Sequence, residues 1–426
     1  MGAVELGFLG AIKSKLAKRY TASGSTINAT DLVKIINTTT VTKDDLVELI
    51  GPDDFEEAGV AYVSACLIDT DKIAVAYRDE GNSNYGTCVI GTTDGTSFTW
   101  GTPVVFESAS TNWIAICKTD TNKIAIAYED ADNSSYGTCI VATISGTVPT
   151  FGTAVVFESA STIVYGIIAS DTDKIAISYR DNGNSNYGTC IVATISGTVP
   201  SFGTAVVFES ATTSNSRVCK TDTDKIAIAY TDSGNSNYGT CIVATISGTV
   251  PTFGTAVVFE SASSDSCSIT DIDTDKIAIA YRDNGNSGYG TCIIATISGT
   301  VPTFGTAVVF ESANASYNSI GTITTSLIAI SFYDGNNTDV ELITATISGT
   351  VPTFGTVVNA DDGGGLYTSL VVLDTSNVVI AYESFAPSNY GTAVQYNILS
   401  EDDLNGVAIS EESATSRYIA VQPLVT

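Results

Sequence analysis

Histidine is entirely absent from this sequence of 426 residues. It is the side chain that most often acts as a general acid or base near neutral pH, and it is the commonest metal ligand. Nine cysteines are present, but no two are separated by only two residues, which is the spacing typical of structural zinc sites. We therefore expect no histidine-dependent catalysis, no metal centre and no cofactor.

Basic residues are also scarce: 18 Lys and Arg stand against 46 Asp and Glu, and the net charge is −28 at pH 7. Phosphate backbones are bound by positively charged surfaces, so this balance excludes nucleic acid as a partner. Residues 1–43 are the exception, with six basic and two acidic side chains and hence a net charge of +4. A basic segment ahead of an acidic body indicates two separate roles.

Long apolar runs are missing as well. None reaches the roughly 20 residues that a membrane-spanning helix requires, and Met1–Leu6 lacks the positive region of a secretory signal. We expect neither a membrane span nor a signal peptide. Disulfides are not expected either, because equivalent positions of successive repeats lie too far apart. We interpret the cysteines as small buried thiols of a protein made in a reducing compartment.

What the chain has instead is one unit of sequence repeated along almost its whole length. The aromatic residue that ends an Ile-Ala-Ile-Ala run recurs at intervals of 51, 51, 51, 51, 51 and 50 residues. These aromatic residues are Tyr77, Tyr128, Tyr179, Tyr230, Tyr281, Phe332 and Tyr382. Each unit holds four strand-like segments, which in the fourth unit are 216–220, 225–230, 240–246 and 255–259. Four short strands per unit and seven units predict an all-β fold, a seven-bladed β-propeller.

The second strand of each unit supports this architecture. In the segment Lys225–Tyr230, isoleucine alternates with alanine, so bulky side chains point to one side and small ones to the other. Neither side is polar. We expect the bulky side of one blade to pack against the small side of the next.

We place the propeller at residues 44–398 and predict that residues 44–50 complete the seventh blade. The alternative is closure by residues 418–424. Residues 399–426 are expected to form a small β tail. Glu5–Tyr20 has the pattern of an amphipathic helix within a docking segment at residues 1–43. That helix would anchor the chain in a larger assembly or form a trimer, fold back onto the propeller, or bind a membrane surface. The candidate docking residues are Leu6, Leu9, Ile12, Lys13, Leu16 and Arg19.

Three phrases of the repeat carry a resemblance. Asp-Lys-Ile-Ala-Ile-Ala-Tyr, Asn-Ser-Asn-Tyr-Gly-Thr and Phe-Gly-Thr-Ala-Val-Val-Phe-Glu-Ser resemble repeats of virion proteins of tailed bacteriophages, especially tail-fibre and adhesin-like appendages. Leu404–Ser413 is similar to a short module that ends many of those chains. The resemblance covers about residues 60–426. It implies a structural virion protein, assembled in the host cytoplasm, whose partners are other virion proteins and a host-surface glycan or receptor.

The acidic turns can also be compared with a sialidase Asp-box and with a calcium-binding loop. The turn Tyr179–Tyr187 matches only the Asp-x-Gly-x-Ser core of the sialidase Asp-box, and it lacks the distal Glu of a calcium loop. We interpret these turns as structural, with the aspartate capping backbone amides. Arg78, Arg180 and Arg282 share one repeat position and could hold a carboxylate, although equivalent positions on a ring diverge unless they line the axis. No carboxylate pair suited to glycoside hydrolysis is visible, so we predict no enzyme activity.

The repeats differ most in the link from the fourth strand of one unit to the first strand of the next. A rigid scaffold that carries variable loops is how recognition surfaces are built. The aromatic residues there could stack on sugar rings or simply pack at the mouth of a channel. We predict attachment to a host surface through these links. The alternatives are a purely architectural virion component, or a carbohydrate-active enzyme or lectin. The candidate ligand-binding residues are Trp113, Tyr165, Arg217, Tyr317 and Tyr367.

Overall fold

A computed structural model describes residues 48–361, 363–386, 388–398, 408–410 and 420–422. These residues form β-strands and short 3-10 turns, and none of them is in an α-helix. Among them, no helix could cross a membrane. The predicted all-β propeller architecture is confirmed. The candidate docking residues from Leu6 to Arg19 lie outside the described residues, so their role stays a prediction.

The strands follow one another in a regular order along the chain. They are β1 (Glu48–Asp69), β2 (Lys72–Asp79), β3 (Tyr85–Thr93), β4 (Phe98–Trp100), β5 (Val104–Asp120), β6 (Lys123–Asp130), β7 (Tyr136–Ser145), β8 (Val148–Phe151), β9 (Val155–Asp171), β10 (Lys174–Asp181), β11 (Tyr187–Ser196), β12 (Val199–Phe202), β13 (Val206–Asp222), β14 (Lys225–Asp232), β15 (Tyr238–Ser247), β16 (Val250–Phe253), β17 (Val257–Asp273), β18 (Lys276–Asp283), β19 (Tyr289–Ser298), β20 (Val301–Phe304), β21 (Val308–Thr324), β22 (Leu327–Asp334), β23 (Asp339–Ser348), β24 (Val351–Phe354), β25 (Val358–Asp361), β26 (Gly365–Val372), β27 (Asn377–Ser384), β28 (Tyr390–Asn397), β29 (Ala408–Ser410) and β30 (Ala420–Gln422).

Each long strand belongs to two sheets. The first half of β13 pairs with β11, with Gly188 opposite Glu209, and its second half pairs with β14, with Arg217 opposite Ala229. The outer strand of one sheet therefore continues directly into the inner strand of the next. Between Glu48 and Asn397 the pairings define seven antiparallel sheets, which we number blades 1 to 7 by their second strands β2, β6, β10, β14, β18, β22 and β27.

This continuity corrects two expectations. The variable links were predicted to be loops, but residues 210–217 lie within β13, because the strand leaves one sheet and enters the next without a turn. The Val-Pro-Thr-Phe segment was predicted to be part of a link. It forms the short strand β16, whose Phe253 is paired with Ala244 of β15. The outer strand of each repeated blade is thus built in two pieces.

The N-terminal side of the described chain supplies the outer strand of blade 7. Residues Glu48 to Gly59 of β1 pair with Asn397 to Tyr390 of β28. The predicted segment 44–50 was too short, because pairing continues to Gly59, and residues 44–47 lie outside the described part. The alternative segment 418–424 does not take this place in its described portion, since β30 pairs with β29 in a separate small unit.

Neighbouring blades pack as the alternation predicted. Ile226, Ile228 and Tyr230 of blade 4 lie in one core cluster with Ala176 and Cys190 of blade 3. On its other side, blade 4 presents Ala227, Ala229 and Cys241 to the isoleucines of blade 5. Burying one isoleucine side chain stabilises the fold by about 1.5–3 kcal/mol. All nine cysteines are free thiols; eight are buried and Cys66 is half-buried, which agrees with the predicted packing role.

A hydrogen bond from tyrosine to a carboxylate joins successive blades. The Tyr230 hydroxyl in blade 4 donates to Glu209 Oε2 in the outer strand of blade 3, at 3.0 Å. The same bond recurs at Tyr77, Tyr128, Tyr179, Tyr281 and Tyr382. Tyr77 of blade 1 reaches Glu56 in the outer strand of blade 7, so these bonds also join the two ends of the array. At the equivalent position of blade 6, Phe332 has no hydroxyl to donate.

The acidic turns have the predicted structural role. Asp181 Oδ1 accepts a hydrogen bond from the backbone amide of Asn184 at 3.0 Å and caps a 3-10 turn, Asn182–Asn184. The next two residues, Ser185 and Asn186, have φ of 59° and 62°. Equivalent turns follow Asp79, Asp232 and Asp283 at Glu80–Asn82, Ser233–Asn235 and Asn284–Asn286. The repeated Asp-x-Gly-Asn-Ser text is thus explained by turn geometry.

Candidate functional site

A β-bulge interrupts the inner strand of every blade at the same height. In blade 1, Ala61 faces Arg78 and Ser64 faces Ala76, so two residues, Tyr62 and Val63, oppose Tyr77 alone. The corresponding bulges in the other blades interrupt β5, β9, β13, β17, β21 and β26. Bulges redirect side chains and are common beside functional sites.

In six blades the first bulge residue is a non-glycine residue with a positive φ. The angles are 54° at Tyr62, 50° at Trp113, 51° at Asn215, 49° at Ser266, and 53° at both Tyr317 and Tyr367. Such a conformation costs of order 1 kcal/mol at each position and persists only where the surrounding structure enforces it. Blade 3 differs, because its extra residue is Tyr165, between the pairs formed by Val164 and Gly166.

These bulges surround one pocket of about 150 Å³, which we call the axial pocket. Two residues from the inner strand of each of the seven blades line it. All five candidate ligand-binding residues, Trp113, Tyr165, Arg217, Tyr317 and Tyr367, are among them. The structure thus brings together residues that are up to 254 positions apart, from Trp113 to Tyr367.

Five aromatic side chains form a continuous arc along one side of the axial pocket. Ring centroids are 6.1 Å apart between Tyr165 and Trp113, 5.1 Å between Trp113 and Tyr62, 5.2 Å between Tyr62 and Tyr367, and 5.2 Å between Tyr367 and Tyr317. The arc therefore runs through blades 3, 2, 1, 7 and 6. We call these five residues the aromatic arc.

Tyr62 is the member of the arc that the sequence analysis missed. It lies 51 residues before Trp113, so the repeat period alone points to it. This equivalence is not apparent from the sequence, because the residues before Tyr62 differ from the repeated segments.

Blades 4 and 5 complete the pocket with polar side chains. Asn215 and Arg217 come from β13, and Ser266 and Cys267 come from β17. Arg217 Nη1 donates to the carbonyl oxygen of Tyr165 at 2.6 Å. No ion pair involves Arg217 in the part of the chain that the structure describes. The guanidinium is therefore the only formal charge among the described residues that line the pocket.

The Arg217 side chain is exposed to solvent, but protein surrounds it because it lies inside a concave pocket. Burial lowers the pKa of Arg217, while the nearby Tyr165 and Cys267 act in the opposite direction. A guanidinium nevertheless keeps its proton at neutral pH. Burial also raises the pKa of Tyr317 and Tyr367, so both phenols remain neutral and can donate hydrogen bonds.

The three arginines that share a repeat position do not converge on one ligand. Arg78 lies 4.8 Å from the centroid of the Tyr62 ring and donates to Asn112 Oδ1 at 2.8 Å. Arg180 donates to Asn182 Oδ1 at 2.8 Å. Arg282 forms an ion pair with Asp265 at 3.1 Å. Each has its own side-chain partner, so the arginine cluster considered from the sequence is not formed.

The groups that line the pocket are suited to stacking and hydrogen bonding. None of the described lining residues is Asp, Glu or His. The Cys267 thiol has its pKa raised to about 12, mainly by burial, so little thiolate forms near neutral pH and the thiol is a weak nucleophile. Among the described residues, no group of three or more Cys, Asp or Glu is arranged to hold a metal ion.

Comparison with known proteins identifies the fold and no family. No family model matches the chain, and no curated protein matches it. Among solved structures, Sqt1 from Chaetomium thermophilum, bound to the N-terminus of a ribosomal protein, is similar with a TM-score of 0.51 and 10% identity, over 80% of this chain and 90% of that one. A Hadza microbial sialidase has a TM-score of 0.45 and 11% identity, over 81% of this chain and 68% of that one. Both are propeller proteins, and at 10% identity the likeness to Sqt1 shows the fold alone.

Proposed function

We propose that this protein is a non-enzymatic recognition propeller, a virion appendage of tail-fibre or capsid type that attaches to a host-surface glycan or receptor through the axial pocket. The observation that carries the proposal is the aromatic arc, which faces a charged and polar side within one pocket built from all seven blades. The virion assignment rests on the resemblance of the repeat text.

The exposure of four of the five arc residues supports binding over simple packing, whereas Tyr165 is only 8% exposed. The inter-blade tyrosines Tyr77 and Tyr128 are 0% exposed, as expected for residues that only fill the core. Tyr62, Trp113, Tyr317 and Tyr367 are half-buried instead, and part of each ring faces the pocket. Aromatic faces are suitable surfaces for stacking against sugar rings, and tyrosine hydroxyls can bond to sugar hydroxyls.

The backbone strain at the bulges also supports a ligand-binding role for the pocket. A plain extended strand would bury the inner-strand residues without any positive φ. The bulges place six residues in a conformation that costs free energy, and these side chains line the pocket. Backbone strain of this kind concentrates at ligand-binding positions.

The proposal is tested by glycan-array and host-cell binding of the double variant Trp113→Ala, Tyr165→Ala. We expect loss of binding, because the substitutions remove two adjacent rings of the arc. Phe385→Ala is the matched control, since Phe385 is an exposed aromatic residue that does not line the pocket. Loss of binding in the control as well, or no loss in the double variant, contradicts the proposed site.

The virion assignment has its own test. We propose that residues 1–43 attach the protein to the particle, alone or as a trimer, through Leu6, Leu9, Ile12 and Leu16 together with Lys13 and Arg19. A chain that begins at residue 44 should fold and fail to enter particles. Incorporation of the shortened chain would refute the docking role. Particle assembly that depends on the protein without any host binding would favour a purely architectural component, and hydrolysis of a surface polysaccharide would overturn the non-enzymatic assignment.

A further inference from the structure

The pocket has a chemical polarity that narrows the class of ligand. The aromatic arc occupies blades 3, 2, 1, 7 and 6, whereas Arg217 belongs to blade 4. Blade 4 is three blades away from both blade 1 and blade 7 around the array, so Arg217 faces Tyr62 and Tyr367 across the axis. A ligand within the pocket therefore meets rings on one side and a guanidinium on the other.

Two of the three nitrogen atoms of the Arg217 guanidinium have no hydrogen-bond acceptor among the described residues. Its Nη1 donates to two backbone carbonyls, of Tyr165 at 2.6 Å and of Ser216 at 3.4 Å. Across the described residues, no acceptor is found for its Nε or Nη2, and no carboxylate balances its charge. A planar guanidinium with two free donor groups matches a carboxylate, and the bonds that result are about twice as strong as those between neutral groups.

The bond to Tyr165 positions this charge. It ties the Arg217 side chain of blade 4 to the bulge of blade 3, whose extra residue is Tyr165 itself. The guanidinium is thus held beside the end of the aromatic arc. An arginine that served only to neutralise the acidic protein would be expected to pair with a carboxylate, as Arg282 does with Asp265.

The volume limits the size of the bound group. The axial pocket is small, with a volume of about 150 Å³. Pockets for drug-sized ligands are typically about 300 Å³ or larger. The axial pocket therefore has room for one ring-sized group, such as a single sugar residue at the end of a chain.

We propose, building on the proposed glycan recognition, that the axial pocket binds one carboxylated sugar residue, with its carboxylate on Arg217 and its ring against the aromatic arc. Asn215 and Ser266 on the polar side, and the phenols of Tyr317 and Tyr367, supply hydrogen-bond partners for the ring hydroxyls. The sugar acid is either a free monosaccharide or the terminal residue of an acidic polysaccharide.

Isothermal titration with three ligands tests the charge requirement on the unaltered full chain. The ligands are glucuronate, its neutral methyl ester and glucose. We expect glucuronate to bind about 10- to 100-fold more tightly than the ester, because bonds to a charged group are worth more than bonds between neutral groups. An ester that binds as well as the acid overturns the inference and leaves glycan recognition standing. No binding of any sugar acid or neutral glycan refutes glycan recognition by the axial pocket.

Two variants assign the effect to Arg217. Arg217→Gln should lose the preference for acid over ester, and Arg217→Lys should retain part of it because the charge remains without the planar fork. Trp113→Ala should weaken acid and ester to a similar degree. Thermal unfolding checks that each variant is folded. A preference that persists in folded Arg217→Gln contradicts the assignment.

Repeating the titration with an oligosaccharide that ends in glucuronate distinguishes a free monosaccharide from the terminal residue of a polysaccharide, since a terminal residue should bind at least as tightly as the free acid.

Discussion

The interface between blades 5 and 6 differs from the others at two positions, and this difference leads to a quantitative prediction. Elsewhere a second-strand tyrosine donates to a carboxylate of the preceding blade, but here the aromatic residue is Phe332, which has no hydroxyl to donate to Glu311, the repeat equivalent of Glu209. Beside Phe332 on the third strand is Glu341, where blade 4 has Thr240 beside Tyr230. The Glu341 side chain is 6% exposed, and its Oε2 has no hydrogen-bond partner.

Burial, followed by the nearby carboxylates of Asp334 and Glu311, raises the pKa of Glu341 from 4.5 to about 7. A carboxyl group with a raised pKa binds its proton more tightly in the folded state. Its contribution to stability is therefore complete below about pH 4.5 and is lost as the pH rises through about 7. The difference in pKa corresponds to about 3 kcal/mol as an upper limit, and screening by water reduces our expectation to about 1–2 kcal/mol.

The substitution Glu341→Thr restores the residue of the repeat and removes the buried carboxyl group. We expect the free energy of unfolding at pH 8 to increase by about 1–2 kcal/mol, with little change at pH 4.5. Glu341→Gln is the matched control, because it keeps the size of the side chain without its ionisation. Adding Phe332→Tyr to Glu341→Thr supplies Glu311 with a hydroxyl donor and should add about 1.5 kcal/mol more.

Urea denaturation of the wild type and these variants at pH 4.5, 6 and 8 measures the effect. The reasoning is refuted if the difference between the wild type and Glu341→Thr is the same at all three pH values. It is also refuted if Phe332→Tyr stabilises the wild type as much as it stabilises the Glu341→Thr variant. Equal effects would mean that residues 332 and 341 do not interact.

Three further predictions follow from the scaffold. Asp181→Ala removes the cap on the Asn184 amide and should lower the free energy of unfolding by about 1 kcal/mol. Urea denaturation measures this loss, with Asn182→Ala as the comparison variant. An unchanged urea midpoint in Asp181→Ala contradicts the capping role. Ala227→Leu inserts bulk between blades 4 and 5 and should cost about 1–3 kcal/mol, whereas leucine at the exposed Val250 should be nearly neutral; equal costs argue against close blade packing. The eight buried thiols, such as Cys267 with a pKa raised by burial to about 12, should resist alkylation at pH 8 until denaturant is added, and rapid labelling of these thiols in the folded protein contradicts their burial.

The sequence predicts the scaffold well, because the same alternation of bulky and small residues recurs in successive repeats. The alternation of Ile226 and Ala227 determines which side of a blade is bulky, and it recurs in blades 1 to 6, whereas blade 7 has Val379 at a small-side position. The candidate residues were found where the copies disagree, since a side chain that differs between otherwise identical units is not required by the fold. This reasoning led to Trp113 and Arg217, which the structure places in one pocket.

Other features depend on contacts that no local pattern contains. Residues 51–59 carry a Gly-Pro pair and four acidic residues, a composition typical of loops. Pairing with β28, more than 300 positions later in the chain, makes them a strand and overrides local propensity. The bulges were also missed, because nothing in the text at Asn215 or Ser266 indicates a positive φ in a non-glycine residue. Function was therefore assigned to loops, whereas the pocket is built from interrupted strands.

Recognition in the axial pocket can be measured through the fluorescence of Trp113, whose side chain lines that pocket. The chain has two tryptophans, and Trp100 packs between Phe55 and Phe98, so Trp100→Phe leaves Trp113 as the sole reporter. Titration with a host-surface glycan should give a saturable change in Trp113 emission, together with protection from acrylamide quenching. Host binding that leaves both the emission and the quenching of Trp113 unchanged would contradict recognition in the axial pocket.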